Sequence, residues 1–169
     1  MNLLRKYIKL VDPISEWTGR ICGWIIVPLV LLVVMEVVLR RFLGRPTIWN
    51  FETTTQMYAF HFMILAAFGL LYNAHVSVDI CTMYLPAKIR AVVEIITYLI
   101  FFFPFCIICF YQGISFAQTS WAMKETTWSV FAPPVYPLKT VIPVTFFLLL
   151  LQGLSNFFKK IFILKGEQI

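Results

Sequence analysis

Residues 40–79 read RRFLGRPTIWNFETTTQMYAFHFMILAAFGLLYNAHVSVD. The middle of this stretch, Thr53 to Leu71, is one bilayer-length of helix, because a hydrocarbon core of roughly 30 Å takes about 20 apolar residues at about 1.5 Å each. A basic, proline-bearing turn with Trp49 and Glu52 precedes it. A short polar hinge, Tyr72-Asn73-Ala74-His75, follows, and then Val76-Ser77-Val78-Asp79. Most of the distinctive polar chemistry lies in these two flanks. The rest of the chain supplies apolar spans that pack beside this one.

Composition agrees with that reading. Of 169 residues, 60% are hydrophobic and 13% charged, and the mean hydropathy is +0.84. Soluble domains carry about 25% charged residues. The chain is therefore expected to be one membrane domain, residues 1–169. Its net charge of +6 is spread between apolar spans, which suits topology signals and lipid headgroups and not nucleic acid. Cys22, Cys106 and Cys109 fall in apolar spans, where a thiol behaves as a small hydrophobe. The Cys106-x-x-Cys109 spacing lacks a basic neighbour to activate a thiol, so it reads as packing.

Outward from the central stretch, the first residues form an amphipathic helix over about 2–12. Leu3, Leu4, Tyr7, Ile8, Leu10 and Val11 fall on one side of the wheel, and Asn2, Arg5, Lys6, Lys9 and Asp12 on the other. That is the pattern of an interfacial arm with a basic face on anionic headgroups. Pro13 is expected to end or kink it. The apolar run that follows ends in Arg40-Arg41 and not at a small-residue cleavage site, so no cleaved leader is expected.

The pattern predicts an all-α integral membrane protein with this arm and four transmembrane helices, over about 21–39, 53–71, 91–110 and 141–158. Pro28 is tolerable inside the first, where Glu36 stands four residues before Arg40, in the order that favours an ion pair. Thr53, Thr54, Thr55 and Gln56 are expected to satisfy the free N–H groups at the start of the second, and Glu52 suits its positive end. Pro86 opens the third, whose Phe101-Phe102-Phe103-Pro104-Phe105 run suggests a lipid-facing or broad packing surface. Trp121, Trp128, Phe131 and Tyr136 place the next loop at headgroup level, and Lys159-Lys160 is expected to stop the fourth. Nine Lys and Arg fall on the side of the termini and five on the other. The positive-inside rule then puts both termini in the cytoplasm.

The residues contain no nucleophile with its base, no metal cluster, no phosphate loop and no run of buried charges, so no catalytic, substrate or metal residue is assigned. His61 reads as an interhelical hydrogen-bonder. His75 and Asp79 fit either an extended interfacial stretch or a short surface helix, as structural pins or as a proton-sensing pair. Two other classes fit parts of the pattern. One is a small exporter exchanging protons at Glu36; the other is a redox-enzyme anchor binding haem through His61.

Several motifs stand in order: Arg40-Arg41-Phe42, Pro46-Thr47-Ile48-Trp49 with Glu52, the helix ending in Gly69, His75-Val76-Ser77-Val78-Asp79, Leu85-Pro86 with Arg90, Ile142-Pro143-Val144 and Leu151-Gln152-Gly153. Together they resemble the small membrane subunit of tripartite ATP-independent periplasmic (TRAP) transporters, the DctQ-like family, over about residues 20–160. Where members often carry two acids after the tryptophan, this chain has Phe51 and a single Glu52. The resemblance implies a scaffold subunit of a sodium-driven importer of an organic acid in a bacterial inner membrane. It implies a large membrane subunit that carries the substrate and sodium sites, a periplasmic substrate-binding protein, and contact with membrane lipids. No cofactor is expected in this chain. Arg40, Arg41, Trp49, Glu52, His61, His75, Asp79 and Pro143 are the structural or interface candidates.

Overall fold

The computed structural model describes residues 2–72 and 86–165. The helices are α1 (Asn2–Gly23), α2 (Ile26–Phe42), α3 (Asn50–Leu71), α4 (Ala87–Thr97), α5 (Phe103–Met123) and α6 (Tyr136–Lys165). A π-helical turn, Tyr98–Phe102, joins α4 to α5 without a break. Among the described residues there is no strand, only one isolated antiparallel bridge between Thr126 and Pro134. Four helical stretches are long and apolar enough to cross a membrane: Leu4–Phe42, Asn50–Leu71, Ile89–Met123 and Tyr136–Leu164. The four expected spans are therefore present; each helix starts earlier than expected, and all but the second, which ends at Leu71 as expected, also run on further.

Proline explains the irregularities. Pro28 has no N–H to give to the Trp24 carbonyl, and its ring crowds that carbonyl. The chain breaks there. Val27 N–H takes the Trp24 carbonyl instead, at 3.1 Å, and Trp24 and Ile25 fold back on Ile21 and Cys22. Pro104 has the same conflict with Ile100. The turn before it widens to π geometry, with Phe103 N–H reaching the Tyr98 carbonyl. Pro13 does not end α1. Lys9 and Pro13 are both exposed, so the carbonyl that Pro13 leaves without a donor is open to solvent or headgroups.

Two further expectations are overturned. Thr53, Thr54 and Thr55 do not cap free N–H groups. The helix starts at Asn50, and their hydroxyls donate to the carbonyls of Trp49, Asn50 and Phe51, four residues back. Nor do Lys159 and Lys160 stop the last helix, which runs on to Lys165. The arm's apolar face is also divided. Ile8 and Val11 are buried, whereas Leu10 is exposed and continues outward as Ile14, Trp17 and Ile21.

Helix α6 is the hub and packs against α1, α3, α4 and α5, while α2 leans mainly on α3 and buries no residue. Glycines set the closest approaches. A Cβ on Gly153 would lie 2.2 Å from the Phe102 ring, and one on Gly19 would lie 2.2 Å from Phe68. The most buried side chains include Gln152, Asn50, Ser15, Ser120 and Ser155, while most of the large aliphatics lie outside and only a few, such as Ile8, Val11, Ile64 and Leu70, are buried with them among the described residues. That is the distribution expected where the surroundings are as apolar as leucine and polar groups must find partners within the protein.

Candidate functional site

The polar groups of the bundle gather at its two ends. At the end nearer the termini the centre is Asp12 on α1. Ser155 Oγ donates to Asp12 Oδ1 at 2.7 Å, Gln152 Nε2 donates to the same oxygen at 3.1 Å, and Lys159 Nζ meets Oδ2 at 2.6 Å. Gln152 Nε2 also reaches Asn156 Oδ1 at 3.2 Å, and Asn156 Nδ2 donates at 2.8 Å to the Leu70 carbonyl. That carbonyl lies in the last turn of α3, where helical donors run out. Lys160 pairs with Glu94 of α4, which Arg90 also holds at 3.0 Å. Tyr7 OH donates to the Leu151 carbonyl at 3.1 Å. One face of α6 thus ties α1, α3 and α4 together.

At the other end, the loop between α5 and α6 folds onto α3. Thr127 Oγ1 donates to Glu52 at 2.9 Å, and Gln56 Nε2 reaches the Pro134 carbonyl at 3.3 Å. Glu125 pairs with Lys139 and accepts from Ser120 Oγ at 2.8 Å. Lys139 also sits 4.0 Å from the centre of the Phe116 ring. Trp121 Nε1 donates to Thr140 at 2.8 Å. Lys124 and Ala132 take left-handed backbone conformations, φ 46° and 43°, to close the loop.

Lys139 first, and then Ser120, hold the Glu125 carboxyl below the usual glutamate range. A depressed folded pKa stabilises at pH above the unfolded value and loses that contribution as pH falls through the folded one. The loop is therefore expected to resist pepsin through the ordinary glutamate range, near about pH 4.3, and to open only below it. Glu125→Gln is expected to remove this acid-dependent step. Equal pepsin profiles for both forms would show that the pair does not close the loop.

The sequence candidates occupy separate places. Arg40 bonds Glu36 at 3.2 Å, and Glu36 also accepts from the Thr47 hydroxyl. Arg41 is exposed. Trp49 is the residue before α3 and makes no side-chain capping bond, and Glu52 holds the far loop. His61, with its proton on Nδ1, donates at 3.0 Å to the Cys22 carbonyl beside the α1–α2 break. Pro143 is buried where α6 meets Gly113, whose Cβ would lie 3.4 Å from the proline nitrogen. His75 and Asp79 lie outside the described residues.

Sequence reading missed Asp12, Gln152, Ser155, Asn156 and the inward turn of Lys159 and Lys160. A signal was present, since Gln152, Ser155 and Asn156 stand at i, i+3 and i+4, one face of a helix. Among the described residues no group of three or more His, Cys, Asp or Glu is placed to hold a metal ion. What the arrangement does chemically is bind its own helices into one body.

The model of one family, described as tripartite ATP-independent periplasmic transporters, DctQ component, matches residues 29–162. The match begins just after Pro28, so α1 lies before it. No curated protein sequence matches the chain.

Proposed function

The chain belongs to the DctQ family of tripartite ATP-independent periplasmic transporters, and from that premise we propose that it is the scaffold subunit of a sodium-coupled importer of a small organic acid. Its partners on this reading are a large membrane subunit that carries substrate and sodium, and a periplasmic protein that delivers the substrate. It sits in the inner membrane with both termini in the cytoplasm.

The observation that carries the scaffold role is the use of the bundle's polar groups. Among the described residues the acids Asp12, Glu16, Glu36, Glu52, Glu94 and Glu125 all bond to other groups of the same chain. A subunit that must stay rigid while its neighbour moves is well served by clasps at both ends. Lys6 and Lys9 are exposed on α1, which suits anionic headgroups at roughly 1 kcal/mol per charge.

The test is reconstitution. Co-expression with the large subunit should yield one complex in mild detergent. Uptake of an organic acid into liposomes should need that complex, the binding protein and a sodium gradient. Uptake by this chain alone would overturn the scaffold reading, and uptake indifferent to sodium would overturn the coupling.

A further inference from the structure

Helix α5 has two unlike faces. The inner one, with Cys106, Gly113, Ala117 and Ser120, is buried against the bundle. On the opposite side stand Tyr111, Gln112, Ser115, Gln118, Thr119 and Ala122, all exposed. Gln112, Ser115, Thr119 and Ala122 fall at alternate steps of three and four, the spacing of a helix-packing seam, with Tyr111 and Gln118 beside them. No described residue bonds to the Gln112 or Gln118 amide.

The depth of this stripe is what matters. The Trp121 and Tyr136 rings meet at 4.4 Å, tilted by 56°, and such aromatics mark the headgroup level. Gln112 is nine residues below Trp121, or about 13 Å along the helix axis. It lies level with Ile142 and Pro143, which meet Gly113. At nearby positions of α6 the outward residues are Val144 and Phe147. An acyl chain cannot hydrogen-bond, and a carboxamide offers two donors and an acceptor that need partners. The chain carries its own comparison in α2, whose outward face is aliphatic up to Leu39, with Val27, Leu31, Val34 and Val38 exposed. That face suits lipid, and the α5 stripe does not.

We infer that the outward stripe of α5 is the seam on which a membrane-embedded helix of the large transport subunit packs, one that offers hydrogen-bonding groups at the depth of Gln112. The inference rests on the scaffold reading above. Small and polar residues are the usual contact surface between membrane helices, because small side chains let backbones approach and amides bond across the gap. Ser115 and Ala122 provide the close approach, and Gln112 and Gln118 provide the bonds.

A photoreactive phenylalanine analogue is placed at Ser115 or Thr119, and at Leu31 or Val34 for comparison, in the full chain co-expressed with a tagged large subunit. The α5 positions should capture the large subunit and the α2 positions should not. Gln112→Leu with Gln118→Leu should lower recovery of the complex roughly threefold per lost hydrogen bond, with the yield of this chain in the membrane unchanged. Capture from α2 and not α5, capture of a second copy of this chain, or unchanged recovery of the double variant would overturn the seam and leave the scaffold reading standing. Failure of the unsubstituted chain to co-purify with the large subunit would overturn both.

Discussion

Gly19→Leu is expected to prevent α1 from seating on the bundle and to cost most of the assembled protein. A Cβ at position 19 would lie 2.2 Å from Phe68 Cγ and Cδ2 and 2.5 Å from Phe68 Cβ. Phe68 Cβ is fixed to the backbone of α3, so a rotamer change cannot clear it, and α1 must move outward. Overpacking of this kind costs roughly 1–3 kcal/mol even for small groups, and a leucine adds three more carbons. The displaced helix would also lose the bond from His61 to the Cys22 carbonyl and the bond from Tyr72 to Glu16, which stand on either side of the contact. Thermal unfolding of the purified protein and cysteine cross-linking between α1 and α3 read the outcome. Gly19→Ala should be milder in the same direction. Phe68→Ala should partly rescue it, because it removes two of the three clashing atoms. A Gly19→Leu protein with unchanged melting and cross-linking would mean that α1 does not lie on α3 at this point.

Asp12→Ala is expected to have the second large effect. It removes the acceptor shared by Ser155 and Gln152 and the counter-charge of Lys159. Breaking a buried ion pair by deleting one partner costs roughly 3–5 kcal/mol. Here the two side chains keep 26% and 25% of their exposure, so solvent offsets part of that and a loss near the lower bound, about 3 kcal/mol, is expected. Most of the penalty comes from the stranded lysine and hydroxyl. Asp12→Asn keeps an acceptor for Ser155 and Gln152. Combined with Lys159→Met, which removes the unpaired charge, it should recover most of the stability. The measurement is a double-substitution cycle on melting temperature, with Lys9→Ala as the exposed control. Equal behaviour of Asp12→Ala and Lys9→Ala would remove the clasp from the account of how α1 is held.

The two substitutions act on different links. Gly19 governs how closely two backbones approach, and Asp12 governs which polar groups find partners once they have. Both bear on function through the same consequence, the position of α1 against the rest of the bundle. Uptake by the reconstituted complex is therefore expected to fall with either.

Local patterning along the chain was enough to establish the class of the protein and the number and order of its spans. Hydropathy over some twenty residues is a local quantity, because each residue's transfer into lipid is nearly independent of its distant neighbours. The i, i+4 pair of Glu36 and Arg40 was legible for the same reason. So was the ordered set of motifs from Arg40 to Gly153, which falls within the matched residues 29–162. The tertiary structure decided what the charged and polar residues do. Lys159 and Lys160 read as the flank that ends a span, since hydropathy registers the cost of a cation and not an acid elsewhere that offsets it. For Lys159 that acid is Asp12, which stands 143 positions from the serine sharing its carboxylate, and for Lys160 it is Glu94 of α4. Pro13 reads as an end or a kink because the rule counts a lost hydrogen bond, and α1 does not end there because its other face is held by α3 and α6. The stripe on α5 is the same case reversed. Gln112 and Gln118 are unremarkable in a string of letters. Gln112 acquires meaning only when folding turns it away from every described residue of its own chain, at a depth where lipid supplies no partner, and Gln118 continues the same face toward the headgroups.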